Sequence, residues 1–304
     1  MKQLVLLSGK GGTGKTSLGA ALAHLSNLPP RAIRPVFVDA DVDAANLGLV
    51  LKPSLGEPQK FWGGSLAEID TSRCTGCGAC VADCRYDAIH PDGENSNLVY
   101  QIDPIACDGC AACVYACPEG AIQMHQQQEG IWFHSVTPFG DLFHAELFPG
   151  RENSGKLVTL VKQQARLWAE DSRSPLIIID GPPGIGCPVI SACAGVDLGL
   201  IVTEPGLAGL HDMRRVLEVL QHFQVPPVIC INKADIYPQG TKQIQEFASD
   251  QGVQVLGEIP FDDYIPRAML KGAPITDLYP DAAASRAIQS IWERLLGILL
   301  TEEG

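Results

Sequence analysis

Gly9-Lys10-Gly11-Gly12-Thr13-Gly14-Lys15-Thr16 is the stretch on which the reading of this chain turns. It satisfies G-x-x-x-x-G-K-[ST], the pattern of a loop that cradles phosphate groups. The flanks suit such a loop. Residues 2–8 (KQLVLLS) read as a buried strand, and residues 17–25 (SLGAALAHL) as a helix of small and apolar residues. The glycines let backbone N–H groups, with that of Thr13 among them, converge on phosphate oxygens. Lys15 is placed to reach the β- and γ-phosphates, and the Thr16 hydroxyl to bind Mg²⁺. The helix that starts near Thr16 adds its positive end.

Outward from the loop, short apolar runs recur at residues 34–39, 175–180, 199–203 and 227–232, with a weaker one at 253–259. Helical stretches such as 155–170 and 208–223 separate them. Strands alternating with helices predict an α/β fold, a doubly wound and mostly parallel sheet covered on both faces. Chemistry in such sheets lies at the carboxyl ends of the strands. The glycine-rich and charged loops fall there.

The chain has 304 residues, a length that suggests about two domains of roughly 150 residues each. Hydrophobic residues make up 46% and charged residues 19%, enough apolar material for a sizeable core and unlike a disordered chain. No run approaches the roughly 18 apolar residues of a membrane span. The N-terminus enters the glycine-rich loop too soon for a secretory signal, so the cytoplasm is the expected location. The net charge of −13 disfavours nucleic acid as a partner, since phosphate contacts need Lys and Arg. Residues 61–135 hold ten acids, Glu94 among them, and only two bases, Arg73 and Arg85. A segment with its own charge character predicts an inserted domain at 61–135, between the parts 1–60 and 136–304 of a larger one.

Eight of the 11 cysteines lie in that segment. Cys74-x2-Cys77-x2-Cys80-x3-Cys84 and Cys107-x2-Cys110-x2-Cys113-x3-Cys117-Pro118 are near-copies 33 residues apart. Each matches the run found in bacterial two-cluster ferredoxins. In that pattern the first three cysteines of a run bind one [4Fe–4S] cluster and the fourth crosses to the other. Cys74, Cys77, Cys80 and Cys117 are therefore expected to hold one cluster, and Cys107, Cys110, Cys113 and Cys84 the second. Zinc is the competing expectation, but structural zinc sites usually pair two C-x2-C units across a longer loop. Arg85 follows Cys84 where Pro118 follows Cys117.

Lys10 is a second lysine in the phosphate loop, and Lys10 to Thr16 match K-G-G-x-G-K-T throughout. On these residues the chain resembles the deviant Walker A ATPases, which include MinD, ParA and the nitrogenase iron protein. The resemblance implies that Lys10 reaches the nucleotide of a partner subunit and that two chains sandwich two nucleotides. Residues 38–47 (VDADVDAANL) look like the family's switch I, which implies that Asp41 orients the attacking water and that Asn46 lies near the dimer interface. Asp39 and Asp43 read equally well as surface loop acids. Residues 177–184 (IIIDGPPG) look like its Walker B strand and switch II. Asp180 then holds the Mg²⁺ shell, and Gly184 brings backbone close to the γ-phosphate. Asn232-Lys233-Ala234-Asp235 reads N-K-x-D, which in GTP-binding proteins recognises guanine through the Asp. Members of the present family carry a similar stretch and use ATP, the Asn bonding the adenine. The Lys10 loop is the more diagnostic signal and favours ATP.

Taken along its length, the chain resembles MinD-superfamily ATPases with an inserted ferredoxin domain. That implies an Mg-ATP-dependent dimer, formed with itself or a related ATPase, coupled to two [4Fe–4S] clusters. Electron transfer to a redox or metal-cluster partner protein is the leading expectation. The alternatives are a cluster carrier or assembly factor, and a positioning or regulatory ATPase with structural or redox-sensing clusters. The superfamily's carriers use a C-P-x-C pair, and neither Cys117-Pro118 nor Cys187-Pro188 is followed by the second cysteine. Cys187 lies seven residues after Asp180, an offset at which the nitrogenase iron protein has a cluster ligand. Cys193 and Cys230 read as core. Ile288, Ile291, Trp292, Leu295, Leu296 and Leu299 fall at helical spacing. The flanks Arg286, Glu293 and Arg294 and the end at Glu302-Glu303 do not make the basic face a membrane-surface helix wants, which predicts docking on the core.

Overall fold

The computed structural model describes residues 1–30, 32–92 and 98–300. Glu94 and Glu302-Glu303 lie outside them. The chain divides into two compact units. The first comprises residues 1–59, 131–147 and 154–304, and the second residues 60–130 and 148–153.

In chain order the elements are β1 (Lys2–Ser8), α1 (Lys15–Leu25), β2 (Val36–Asp39), α2 (Leu47–Leu51), β3 (Gln59–Ile69), α3 (Ala79–Asp83), β4 (Ile89–Asp92), β5 (Val99–Ile102), α4 (Ala112–Ala116), β6 (Ile122–Thr137) and β7 (Gly140–Leu147). They continue as α5 (Ser154–Asp171), β8 (Leu176–Pro183), α6 (Cys187–Cys193), β9 (Leu198–Thr203), α7 (Leu207–His222), β10 (Pro227–Asn232), α8 (Pro238–Asp250), β11 (Gln254–Ile259), α9 (Tyr264–Leu270), α10 (Ile275–Leu278) and α11 (Ala283–Leu299).

The first unit is built on a sheet ordered β11-β10-β9-β1-β8-β2-β7, followed by the later part of β6. β1 runs parallel to β8 and β9, β2 to β8 and β7, and β10 to β9 and β11. Leu4, Val5, Leu6 and Leu7 of β1 are all fully buried, as expected where helices cover both faces. Phe37, Leu142, Ile178, Leu200 and Val202 extend one core across the neighbouring strands. The buried stripe of α11, from Ile288 through Trp292 to Leu299, joins that core beside β11. Among the described residues no helix is long and apolar enough to cross a membrane.

Sequence reading missed the β6–β7 hairpin, because 122–147 mixes glutamine, histidine and aromatics without a clean alternation. It also stopped the Walker B strand at Asp180, whereas β8 runs on to Pro183. At the start of α5, Gly155 passes so close to α6 that an added Cβ would sit 3.3 Å from Cys187 Cβ. Further along, Lys162 Nζ donates to the carbonyls of Ser191, Ala192 and Ala194 at 2.9, 2.7 and 2.8 Å, capping the end of α6.

In the second unit, the part of β6 up to Gly130 neighbours β3, and β4 pairs antiparallel with β5. The two cysteine runs have matching backbones. Gly76 and Gly109 take φ of 68° and 73°, and Gly78 and Ala111 take 77° and 61°. Cys84 and Cys117 end α3 and α4 at φ/ψ of −78/111° and −79/109°. The 33-residue repeat is thus a repeat of conformation. Left-handed residues before each short helix let the chain wrap tightly, which glycine permits at three of the four positions. Residues 148–153 return to this unit, where Asn153 Nδ2 donates to the buried Glu129 carboxylate at 2.8 Å.

Candidate functional site

The phosphate loop leaves β1 at Ser8, whose hydroxyl donates to the Lys10 carbonyl at 2.7 Å. Gly12 and Gly14 take φ of 78° and 96°, which any side chain would strain. Gly14 has a second reason to be glycine, since an added Cβ would strike the Asn232 amide. α1 then begins at Lys15, which is buried, and its first N–H groups face the loop. The end of β8 is tied to the same place: Gly184 N–H donates to the Ser8 carbonyl at 2.9 Å, with Gly184 at φ 91°.

Three acids lie on or just after two neighbouring strands, Asp39 ending β2, Asp41 two residues on and Asp180 within β8. Asp39 and Asp180 are paired in register on β2 and β8, and both are almost completely buried. Asp39 accepts from the N–H groups of Asp41 (3.2 Å) and Leu47 (2.9 Å), so it organises the 40–47 segment from beneath. Of the two acids read as surface candidates, Asp39 is therefore buried, while Asp43 is exposed. Burial, reinforced by Asp180, holds the Asp39 carboxyl well above the usual carboxylate range. Burial raises Asp180 to about 6 against the pull of Lys15 and a hydrogen bond from the Thr16 hydroxyl. Asp41 is half-buried and raised by that burial, with Lys15 opposing.

Asp180 Oδ1 is buried without a hydrogen-bond partner among the described residues. An orphaned carboxylate oxygen beside a threonine hydroxyl is a donor set that fits Mg²⁺. Thr13 Oγ1, in the same loop, is likewise buried without a hydrogen-bond partner among the described residues.

At the other end of the loop, Asn232 Nδ2 donates to the Thr13 carbonyl at 2.8 Å, and its Oδ1 accepts from the Lys233 N–H at 3.0 Å. Asn232 thus clamps the phosphate loop itself. Asp235 Oδ1 accepts from the Phe261 N–H at 2.6 Å and fixes the loop after β11. Lys10 ion-pairs with Glu204, at the end of β9.

The cysteines form two groups in the second unit. Cys74, Cys77, Cys80 and Cys117 line one cavity, with Ile69, Tyr100 and Ile122. Cys84, Cys107, Cys110 and Cys113 line another, with Ala67, Ile89 and Ile102. Each cavity takes three cysteines from one run and the fourth from the other. Cys77 and Cys110 are exposed, whereas Cys80 and Cys113 are buried, and burial pushes both buried thiols up. The Ala121 N–H donates to Cys117 Sγ at 3.3 Å. Among the described residues no three His, Cys, Asp or Glu converge on a single metal ion. Four soft thiols around an apolar cavity are the donor set for an iron–sulfur cluster. Cys187 is exposed at the start of α6. Cys193 and Cys230 are buried, and burial pushes them up to about 11 and about 12, as inert core thiols.

Residues 4–275 match the CobQ/CobB/MinD/ParA nucleotide-binding domain. The chain belongs to this family. It is a nucleotide-binding P-loop ATPase. An uncharacterised protein of Methanocaldococcus jannaschii, MJ0578, is 31% identical over 293 residues, covering 96% of each chain. An iron–sulfur cluster carrier protein of Aquifex aeolicus is 29% identical over 127 residues, 38% of this chain and 35% of that one. The septum site-determining protein MinD of Pyrococcus horikoshii, solved with Mg-ADP, shares the fold at TM-score 0.60 and 19% identity over 98% of both chains.

Three features escaped sequence reading. Glu204 is an acid at a strand end, the one signal that could have drawn attention to it. The clamp of Asn232 on Thr13 joins residues 219 apart and has no local signature. The return of residues 148–153 to the second unit follows a hairpin that the sequence did not announce.

Proposed function

We propose that this ATPase is an Mg-ATP-dependent dimeric switch coupled to two [4Fe–4S] clusters, and that it gates electron transfer to a partner protein. The observation that carries the reading is the exchange of the fourth cysteine between the two cavities. That exchange is what a two-cluster ferredoxin run requires, and it supports reading residues 61–135 as an inserted ferredoxin-like domain. Cys74, Cys77, Cys80 and Cys117 would hold one cluster, and Cys107, Cys110, Cys113 and Cys84 the other. The clusters, when bound, supply one-electron storage at low potential, since nearby acids disfavour the added electron.

The chain's own residues then divide the work. Gly11, Gly12, Thr13 and Gly14 present backbone N–H groups to the phosphates, and Lys15 neutralises the β- and γ-phosphates. Thr16 and Asp180 hold Mg²⁺, and Asp41 orients the attacking water. Asn232 and Asp235 frame the base, with ATP as the nucleotide. Lys10 reaches the nucleotide of a second copy or a related ATPase. Loss of the γ-phosphate frees the switch segments at Asp41 and Gly184. The ferredoxin-like segment lies between those switches in sequence.

The partial likeness to an iron–sulfur cluster carrier favours a second reading, delivery of a cluster under ATP control. Anaerobic iron and sulfide analysis separates the two. About eight irons and eight sulfides per chain, retained through cycles of ATP hydrolysis, support a resident pair of clusters. Zinc without sulfide contradicts both readings. ATP-dependent loss of iron to an apo-acceptor favours the carrier.

A further inference from the structure

Glu204 occupies a rigid corner. Thr203 Oγ1 donates to the Gly209 carbonyl at 3.1 Å, and Gly209 lies so close to the Glu204 carbonyl that a Cβ there would strike it. From this corner the Glu204 carboxylate, about four-fifths buried, reaches two lysines of the nucleotide site. Oε1 pairs with Lys10 Nζ, and Oε2 pairs with Lys233 Nζ at 3.0 Å. Burial alone would raise this carboxyl, yet the two lysines outweigh it and hold it below the usual range. Lys233 also approaches the Gly12 carbonyl at 3.5 Å, a second contact at the loop that does not involve Lys10.

On the reading that Lys10 acts on the nucleotide of a second chain, its ammonium must first leave its own. Here that ammonium is committed to Glu204. Leaving this mostly buried carboxylate bare is costly, because an unpaired charge keeps its desolvation penalty, whereas Lys10 is part-exposed and gives up less. The second lysine removes that obstacle: when Lys10 departs, the Glu204 carboxylate remains paired with Lys233. We propose that Glu204 is a positioning residue that holds Lys10 within its own chain at rest, and that release of Lys10, with Lys233 as standing partner, sets how readily two chains pair on ATP. The partner is a second copy of this chain, and its nucleotide triphosphate is the anion that competes with Glu204 for Lys10.

This inference rests on the dimeric reading above, and its test separates the two. Cluster-loaded, full-length protein is examined by sedimentation equilibrium with Mg²⁺ and a non-hydrolysable ATP analogue. Nucleotide affinity is measured separately by calorimetry, below the concentration at which chains pair. Glu204→Gln keeps the shape and removes the charge. It should tighten pairing about tenfold, the scale of one partly desolvated charge-assisted contact. Lys233→Ala should weaken pairing, because Glu204 then has Lys10 as its sole lysine partner. Opposite shifts in the two variants are the signature of a latch; a merely structural role moves both the same way. Unchanged or weaker pairing in Glu204→Gln, with nucleotide affinity intact, overturns the latch and leaves the dimer standing. If Glu204→Gln does not fold, stronger pairing in Lys233→Ala overturns it instead. Lys10→Ala that pairs as well as wild type overturns both the latch and the action of Lys10 in trans.

Discussion

Around the phosphate loop, the groups that face a ligand are held by packing. Lys15 and Asp180 are buried on elements whose core runs unbroken from Leu4 to Leu299. Around the cysteines, the buried cluster among the described residues is five side chains with partly buried hydrophobics packed against it, and two of the five are Cys80 and Cys113 themselves. One unit can therefore build its site before any ligand arrives. The other has less apolar burial, and on the reading proposed above its thiols complete it by binding clusters, as in small metal-bound domains.

The contrast is broken most severely by removing iron. Chelation under anaerobic reducing conditions should abolish hydrogen-exchange protection across residues 60–92 and 98–130, while amides of β1 and β8 stay protected. Equal protection in both units after metal removal would dissolve the distinction. Cys110→Ala is the sharper version: it should remove four of the eight irons per chain and leave ATP binding intact.

Next in size is Lys15→Ala. Loss of the lysine that neutralises the phosphates should weaken nucleotide binding about a hundredfold or more by calorimetry, with iron content unchanged. Iron loss in this variant would show that the two units are not separable. Asp41→Ala should lower kcat by roughly tenfold to a hundredfold with smaller change in ATP affinity, as expected for a group acting in the transition state. Unchanged turnover would show that residues 38–47 are not switch I.

The smallest effect is on stability. Asp180 is raised from near 3.8 to about 6, so the folded chain binds a proton more tightly than the unfolded chain does. Its contribution to stability is present below about pH 4 and is lost as pH rises through about 6. Asp180→Asn should remove that fall in the Mg-free, nucleotide-free protein, measured by urea unfolding of the first unit between pH 4 and 7. The same substitution should weaken the Mg²⁺ dependence of hydrolysis. A pH slope that survives Asp180→Asn would assign it to Asp39.

What was legible in the sequence was local. Gly9 to Thr16, the apolar strands and the two cysteine runs each declare themselves within a dozen residues, because backbone sterics, alternation and ligand spacing act over that range. That Cys84 and Cys117 line opposite cavities could be expected from the match of each run to the two-cluster ferredoxin pattern, in which the fourth cysteine crosses. Asp39 was not, since an acid at a strand end reads alike whether it faces water or lies buried beneath the loop that follows. Nor were the contacts of Glu204 with Lys10 and of Asn232 with Thr13, which bring distant strand ends together through the sheet order.

Coupling between the units is the central claim, and a redox titration read by EPR tests it most directly. Wild type and Lys10→Ala are titrated with no nucleotide, with ADP and with a non-hydrolysable ATP analogue. The account predicts that the analogue moves a cluster potential in wild type by some tens of millivolts, where about 59 mV is a tenfold change for one electron. It predicts that the shift disappears in Lys10→Ala. Potentials that are the same in all three nucleotide states, in protein shown to bind both ATP and iron, would contradict it.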